Sequence, residues 1–314
     1  MNTATPQSAE IQKAVALLSA GKRTEARLLL LAMDSKIQDA RTRLEFVDAS
    51  LAILDPIRDN EKIISLLMDG LVITASSGLT DLQAYFMARA AEATMFPVSK
   101  RRYRMANLKL APNWIEFATE ADKKEFEALS AEVKTLEDGI DTALMGAESL
   151  AKKCGDKKTQ ATVLMIKASV EGSRYMQHKA DCMRGTFRAK LWGQYEFMRH
   201  PVCEYLMMFS NGDAQRLNVQ IESFTRDFLK AASLFAEIDD SSAGNAYHNL
   251  ANDLTSAHHF RAAEKYLTLA RKIAQKYNDQ VLLRHVNVLA ESIKTKTKST
   301  PDFINGETRN LDSL

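Results

Sequence analysis

Two groups of residues in this 314-residue chain are of types that carry chemistry. The first is a basic run. Lys100, Arg101, Arg102, Arg104 and Lys109 bring five positive charges with no acid between Val98 and Leu110, and Tyr103 lies among them. Such cations neutralise phosphates and an aromatic ring stacks on a base, so the run could grip nucleic acid. It could equally dock on an acidic face of the same protein or of a partner. The second group is thiol and imidazole. Cys182 has basic neighbours in HKADCMRG, and His200, Cys203 and Glu204 stand together around a helix start at Pro201. Basic surroundings activate a thiol, but a packed cysteine and a capping histidine explain the same residues. His258 and His259 are adjacent at a turn, and neighbours on a helix point about 100° apart, so two such rings do not converge on one ligand. No HExxH, EF-hand loop, GxSxG elbow, GxGxxG or GxxxxGK[ST] occurs. Accordingly no metal, cofactor, nucleotide loop or acyl-transfer nucleophile is expected.

The elements that hold these residues are helices. Lys and Arg number 42 against 40 Asp and Glu, which gives a formal charge of +2 and no global pull toward nucleic acid or membrane. Twelve Gly and six Pro are about 4% and 2% of the chain, well under the usual share. A chain so poor in turn-formers favours long regular elements over a β sandwich or barrel. Apolar residues recur at three- and four-residue spacing almost throughout, which predicts helices near 8–20, 23–34, 38–54, 60–76, 79–95, 114–134, 137–153, 158–182, 186–198, 201–209, 214–237, 241–256, 260–277 and 279–295. Short connections between them imply antiparallel hairpins. The fold expected is all-α, stacked helical hairpins forming one superhelix or two packed sub-bundles. The domains expected are 1–95 as N-terminal hairpins, 96–113 as a basic irregular connection bracketed by Pro97 and Pro112, 114–295 as C-terminal repeats, and 296–314 as a flexible tail. Three scattered cysteines, no apolar stretch of membrane length and a polar start predict a cytoplasmic protein with no membrane partner.

One segment repeats a recognisable spacing. In Gly244–Gln275, Tyr247, Leu250, Ala251 and Leu254 take aromatic, large, small and large positions of a first helix. Ala263, Leu267 and Ala270 take small, large and small positions of a second. Small residues let two helices approach and large ones fill the gaps. This spacing resembles a tetratricopeptide repeat, with His258 at the turn Gly and Gln275 at the terminal Pro. Gly21–Ala26 resembles the family's turn and second-helix start. Leu250-Ala251-x2-Leu254 recurs as Leu289-Ala290-x2-Ile293, and Ala147-x3-Ala151-x-Lys153-x2-Asp156 recurs as Ala270-x3-Ala274-x-Lys276-x2-Asp279.

The resemblance implies a binder of peptides or partner proteins, without catalysis, as adaptor, regulator or complex subunit. It places Asn245, His248 and Asn252 on the polar face of one first helix, and Arg284, Asn287 and Glu291 on the next. A carboxamide offers both donors and an acceptor, which matches a peptide backbone. Met176, Met183, Met198, Met207 and Met208 could add an adaptable apolar surface. The expected partner is another protein or peptide, with self-association as a further expectation. Two alternatives stand beside this reading: a nucleic-acid-associated regulator using Lys100–Lys109, and a helical enzyme with a dispersed site.

Overall fold

The computed structural model describes residues 6–37, 39–108, 118–191 and 213–299. The fold is all-α. Among the described residues there are eleven α-helices, one short 3-10 turn (Asp34–Lys36) and no strand. The helices are α1 (Pro6–Ser19), α2 (Arg23–Leu31), α3 (Ala40–Ile53), α4 (Asn60–Ser77), α5 (Thr80–Leu108), α6 (Glu120–Cys154), α7 (Lys157–Leu191), α8 (Asp213–Glu237), α9 (Ser242–Ser256), α10 (Phe260–Lys276) and α11 (Gln280–Ser299). The chain forms two compact units, residues 1–97 with 139–154, and residues 98–138 with 155–314.

The turns share one device. Six of them pass through a residue with positive φ: Gly21, Gly78, Gly155, Asp239, His258 and Asn278. At five of these the next amide reaches back to a helical carbonyl, as in Leu79 to Thr74, His259 to Leu254 and Asp279 to Ala274 (2.8–3.0 Å). This left-handed C-terminal cap satisfies carbonyls that the helix end would otherwise orphan. Glycine adopts it without strain, and Asn, Asp and His adopt it more readily than other side chains. Half the caps therefore manage without glycine, which reconciles a helical-hairpin fold with so few glycines. His258, at the turn Gly of the repeat spacing, is one of them. After two of the caps an aspartate starts the next helix. Asp156 accepts from the Thr159 amide (2.7 Å) and Asp279 from that of Leu282 (2.9 Å). The recurring Ala-x3-Ala-x-Lys-x2-Asp string is thus a packed helix end, a cap and a new start.

In the first unit α1 packs on α2 and α3, and α3 packs on α4. Ile11, Ala14, Ala26, Leu30, Phe46 and Leu66 are fully enclosed in its core. Gly70 allows the Phe86 ring to lie on the α4 backbone, since a Cβ there would stand 3.1 Å from that ring. In the second unit each of α7 to α10 packs on the next described helix, and α9 also touches α7 and α11. Alternate helices α7, α9 and α11 thus line one side. Leu250, Ala251 and Leu254 of α9 and Ala263, Leu267 and Ala270 of α10 are buried between them. Leu289 and Ile293 of α11 are buried in the same core.

Three expectations are corrected. Residues 96–108 are not an irregular connection, because α5 runs through Pro97 to Leu108. Proline removes one helical N–H and leaves the carbonyl four residues earlier without its donor. Here that carbonyl belongs to Ala93, and the buried Asn60 amide donates to it instead (3.0 Å). The two helices expected over 114–134 and 137–153 are one, α6, because nothing between Lys134 and Glu137 caps or breaks a helix. A Thr119–Asp122 capping box starts it and Gly155 ends it. The described part of the tail, to Ser299, is helical as the last stretch of α11. Residues 109–113 and 300–314, and the helix expected over 201–209, lie outside the described residues.

Candidate functional site

The polar face expected on α9 exists. Asn245, His248 and Asn252 recur at helical spacing, with both asparagines exposed and His248 half-buried. The His248 ring lies 5.9 Å from that of His285 on α11, and burial lowers its pKa from the ordinary value. The α11 residues do not extend this face as a single row. Asn287 accepts from Arg271 of α10 (3.4 Å), which turns it toward the other helix of its hairpin. Arg284 is exposed on α11.

The basic run is a helical turn of α5 whose arginines face acids of α6. Arg101 pairs with Glu132 (2.5 Å), Arg102 with Glu137 (2.6 Å) and Arg104 with Glu125 (2.7 Å). Of the two outcomes open to the run, docking on an acidic face of the protein itself is the one these three residues take. Lys100 and Tyr103 are exposed, and Lys109 lies outside the described residues.

The basic run and the polar face of α9 meet. An open cleft of about 580 Å³ is walled by Arg102 and Tyr103 of α5 and by Asn252 and Asp253 of α9. Gly172, Met176 and Gln177 of α7 form its third wall. Gln177 donates to the Ser99 hydroxyl (2.5 Å) and ties α5 to α7 at its edge. Asp253 rests against bare backbone at Gly172, where any Cβ would collide with its carboxylate. Among the described residues its side chain accepts only from the Asn252 amide, at 3.5 Å, and burial pushes its pKa up to about 7. Beneath the end of α9, the buried Lys179 ammonium donates to the Ser256 carbonyl (2.5 Å). A cation at a helix C-terminus is favourable, while burial pulls this lysine down to about 8.

The chain matches no protein-family model and no curated protein.

The cleft contains Arg102, Tyr103, Met176 and Asn252 of the residues singled out from sequence. His248 and Asn245 stand farther along the α9 face, and Arg284 and Asn287 are elsewhere on α11. Sequence reasoning missed Asp253, Gly172 and Gln177. The available signal was Gly172, an isolated glycine inside a helical pattern, which marks close approach of another group. Among the described residues no group of three His, Cys, Asp or Glu is disposed to hold a metal ion, and no helix is long and apolar enough to cross a membrane. The side chain of Cys182 and all of His200, Cys203 and Glu204 lie outside the described residues.

Proposed function

We propose that the protein is a non-enzymatic, cytoplasmic partner-binding module of tetratricopeptide-like construction that holds a peptide of another protein on the α7–α9–α11 side. The observation that carries the reading is the cleft in which the polar face of α9 meets the end of α5. Its walls offer carboxamides from Asn252 and Gln177, which suit a peptide backbone, and an exposed aromatic ring from Tyr103. Alternate helices lining one side give an extended peptide a continuous track, the way stacked hairpins make binding surfaces. The arginine–glutamate pairs of α5 and α6 favour a protein partner over nucleic acid, because the charges that would release counterions are already matched.

A displayed peptide library selected on the full chain tests this. Enriched peptides should bind in solution and lose at least fivefold in affinity on Asn252→Ala. An absence of enriched peptides, or binding indifferent to substitutions in the cleft, would overturn the reading.

A further inference from the structure

We infer that the cleft between α5, α7 and α9 receives a cationic side chain, the ammonium of lysine or the guanidinium of arginine, with Asp253 as its counter-ion; this rests on the peptide-binding reading above.

The Asp253 carboxyl is the group in the cleft with unmet electrostatic need. Among the described residues no Lys, Arg or His lies within ion-pair distance of it. Arg102 shares the cleft, but its guanidinium donates twice to Glu137, at 2.6 and 3.2 Å. The Asn252 amide at 3.5 Å is a long, weak donor. A carboxylate moved out of water without a partner is costly, and the cost falls when a cation arrives with its own donors. Burial has already pushed this carboxyl up to about 7, so an incoming cation would draw it back to its charged form.

The rest of the cleft fits the same guest. Tyr103 is 60% exposed and Met176 is 40% exposed, so an aromatic ring and a polarisable thioether flank the acid. A ring face attracts ammonium and guanidinium groups, and a thioether packs along their methylene stems. Gln177 and the hydroxyl of Ser173 add oxygen acceptors for the remaining N–H groups. An anionic guest would meet the Asp253 carboxylate instead of a free arginine. Gly172 has a specific part in this arrangement, since a side chain there would push the carboxyl off the α7 backbone.

Charged and titratable groups on the surrounding elements include Arg102 and Tyr103 of α5, Glu137 of α6, Glu171, Arg174, His178 and Lys179 of α7, and His248 of α9. Arg174 is paired with Glu171 at 2.9 Å, and Lys179 is held on the Ser256 carbonyl. Asp253, which these groups surround, is the one that an incoming cation would recharge, so binding should strengthen from pH 6 to pH 8.

Selection of a fully degenerate displayed peptide library on the full chain, in parallel with the Asp253→Asn chain, tests the assignment. The wild-type chain should enrich peptides with Lys or Arg at a fixed position. Their synthetic forms should bind at least tenfold tighter than the same peptides carrying citrulline or Nε-acetyl-lysine, and D253N should abolish that difference. Enriched peptides without a Lys or Arg preference, or a preference that survives D253N, would overturn the cation assignment and leave peptide binding intact. No enrichment by the wild-type chain would overturn both. If D253N does not fold, Tyr103→Leu decides: it should weaken the cationic peptide several-fold and spare its neutral counterpart, and equal loss for both would count against the assignment. Free N-acetyl-lysinamide serves as the last arm. Binding as tight as that of the peptides would assign the site to small amines and overturn the peptide as the source of the cation.

Discussion

The side-chain amide of Asn60 stands 3.0 Å from the carbonyl of Ala93, the carbonyl that Pro97 cannot serve. A helix that would kink or end at proline is carried on by a residue from the start of a different helix. Asn60 is 5% exposed, so the carbonyl has little access to water if the amide is removed.

Asn60→Ala should therefore cost about 1–3 kcal/mol, the penalty of a buried acceptor left without a donor. In a Pro97→Ala background, which restores the helical N–H, the same substitution should cost clearly less. Denaturant unfolding of the four chains of this cycle measures the coupling. Equal costs in both backgrounds would show that Asn60 does not act through Ala93.

Arg27 grips the Asp59 carboxylate with both its Nε and Nη2, and Asp59 also accepts from the Asp55 amide. Hydrogen bonding by Arg27 holds Asp59 at about 2, below its ordinary 3.8. A folded-state value below the unfolded one gives stability that is present at neutral pH and lost as pH falls from about 4 to about 2. Asp59→Asn should lower stability at pH 7 by about 1–2 kcal/mol, allowing for the partly exposed Arg27. The gap to the wild-type chain should close near pH 2, as thermal melts at a series of pH values would show.

His258 and His259 titrate in a higher window. Burial, with Lys179 nearby, pulls each to about 4 from 6.5. Their neutral forms favour the folded state above pH 6.5, and that contribution is lost as pH falls from about 6.5 to about 4. His259 is 6% exposed and its Nδ1 has no hydrogen-bond partner. His259→Leu should flatten the decline in melting temperature between pH 7 and pH 4.5. An unchanged slope would place the acid sensitivity elsewhere.

Glycine substitutions separate backbone strain from close packing. Asn278 is left-handed with φ of 52° and exposed, so Asn278→Gly should gain about 0.5–1 kcal/mol by relieving that conformation. Gly139 lies inside α6 with nothing near its missing Cβ, and Gly139→Ala should gain up to about 1 kcal/mol of helix propensity. Gly244→Ala should do the reverse and lose about 1–3 kcal/mol, because the new methyl would stand 2.6 Å from Leu282 and 3.1 Å from Ile273. Three unfolding curves check the set, and a stabilised G244A would show that Leu282 has room to move.

The helices were legible because their buried residues follow one period, and the paired faces of α9 and α10 match the small and large positions read at Ala251, Ala263 and Ala270. The continuity of α5 was not, because the donor that rescues Pro97 lies 37 positions earlier in the chain. The site was half legible. Arg102, Tyr103 and Asn252 were singled out separately, but their meeting depends on Ser99 and Gln177, which are 78 residues apart. The pairing of the basic run with α6 was equally hidden, since Glu125, Glu132 and Glu137 read in sequence as an ordinary solvated helix face.

From α7 to α11 each helix rests mainly on its neighbours in sequence, and that bears on how this part of the chain assembles. From α8 to α11 the connections are short, so these contacts close small loops and hairpin formation there carries little entropic delay and should be rapid. The terminal helix α11 is held chiefly by α10 and α9, so it can open while the α7–α8 pair stays shut. Amide exchange should accordingly be graded along this region, fastest in α11 and slowest around Phe224 and Phe228 of α8, where the core is most enclosed.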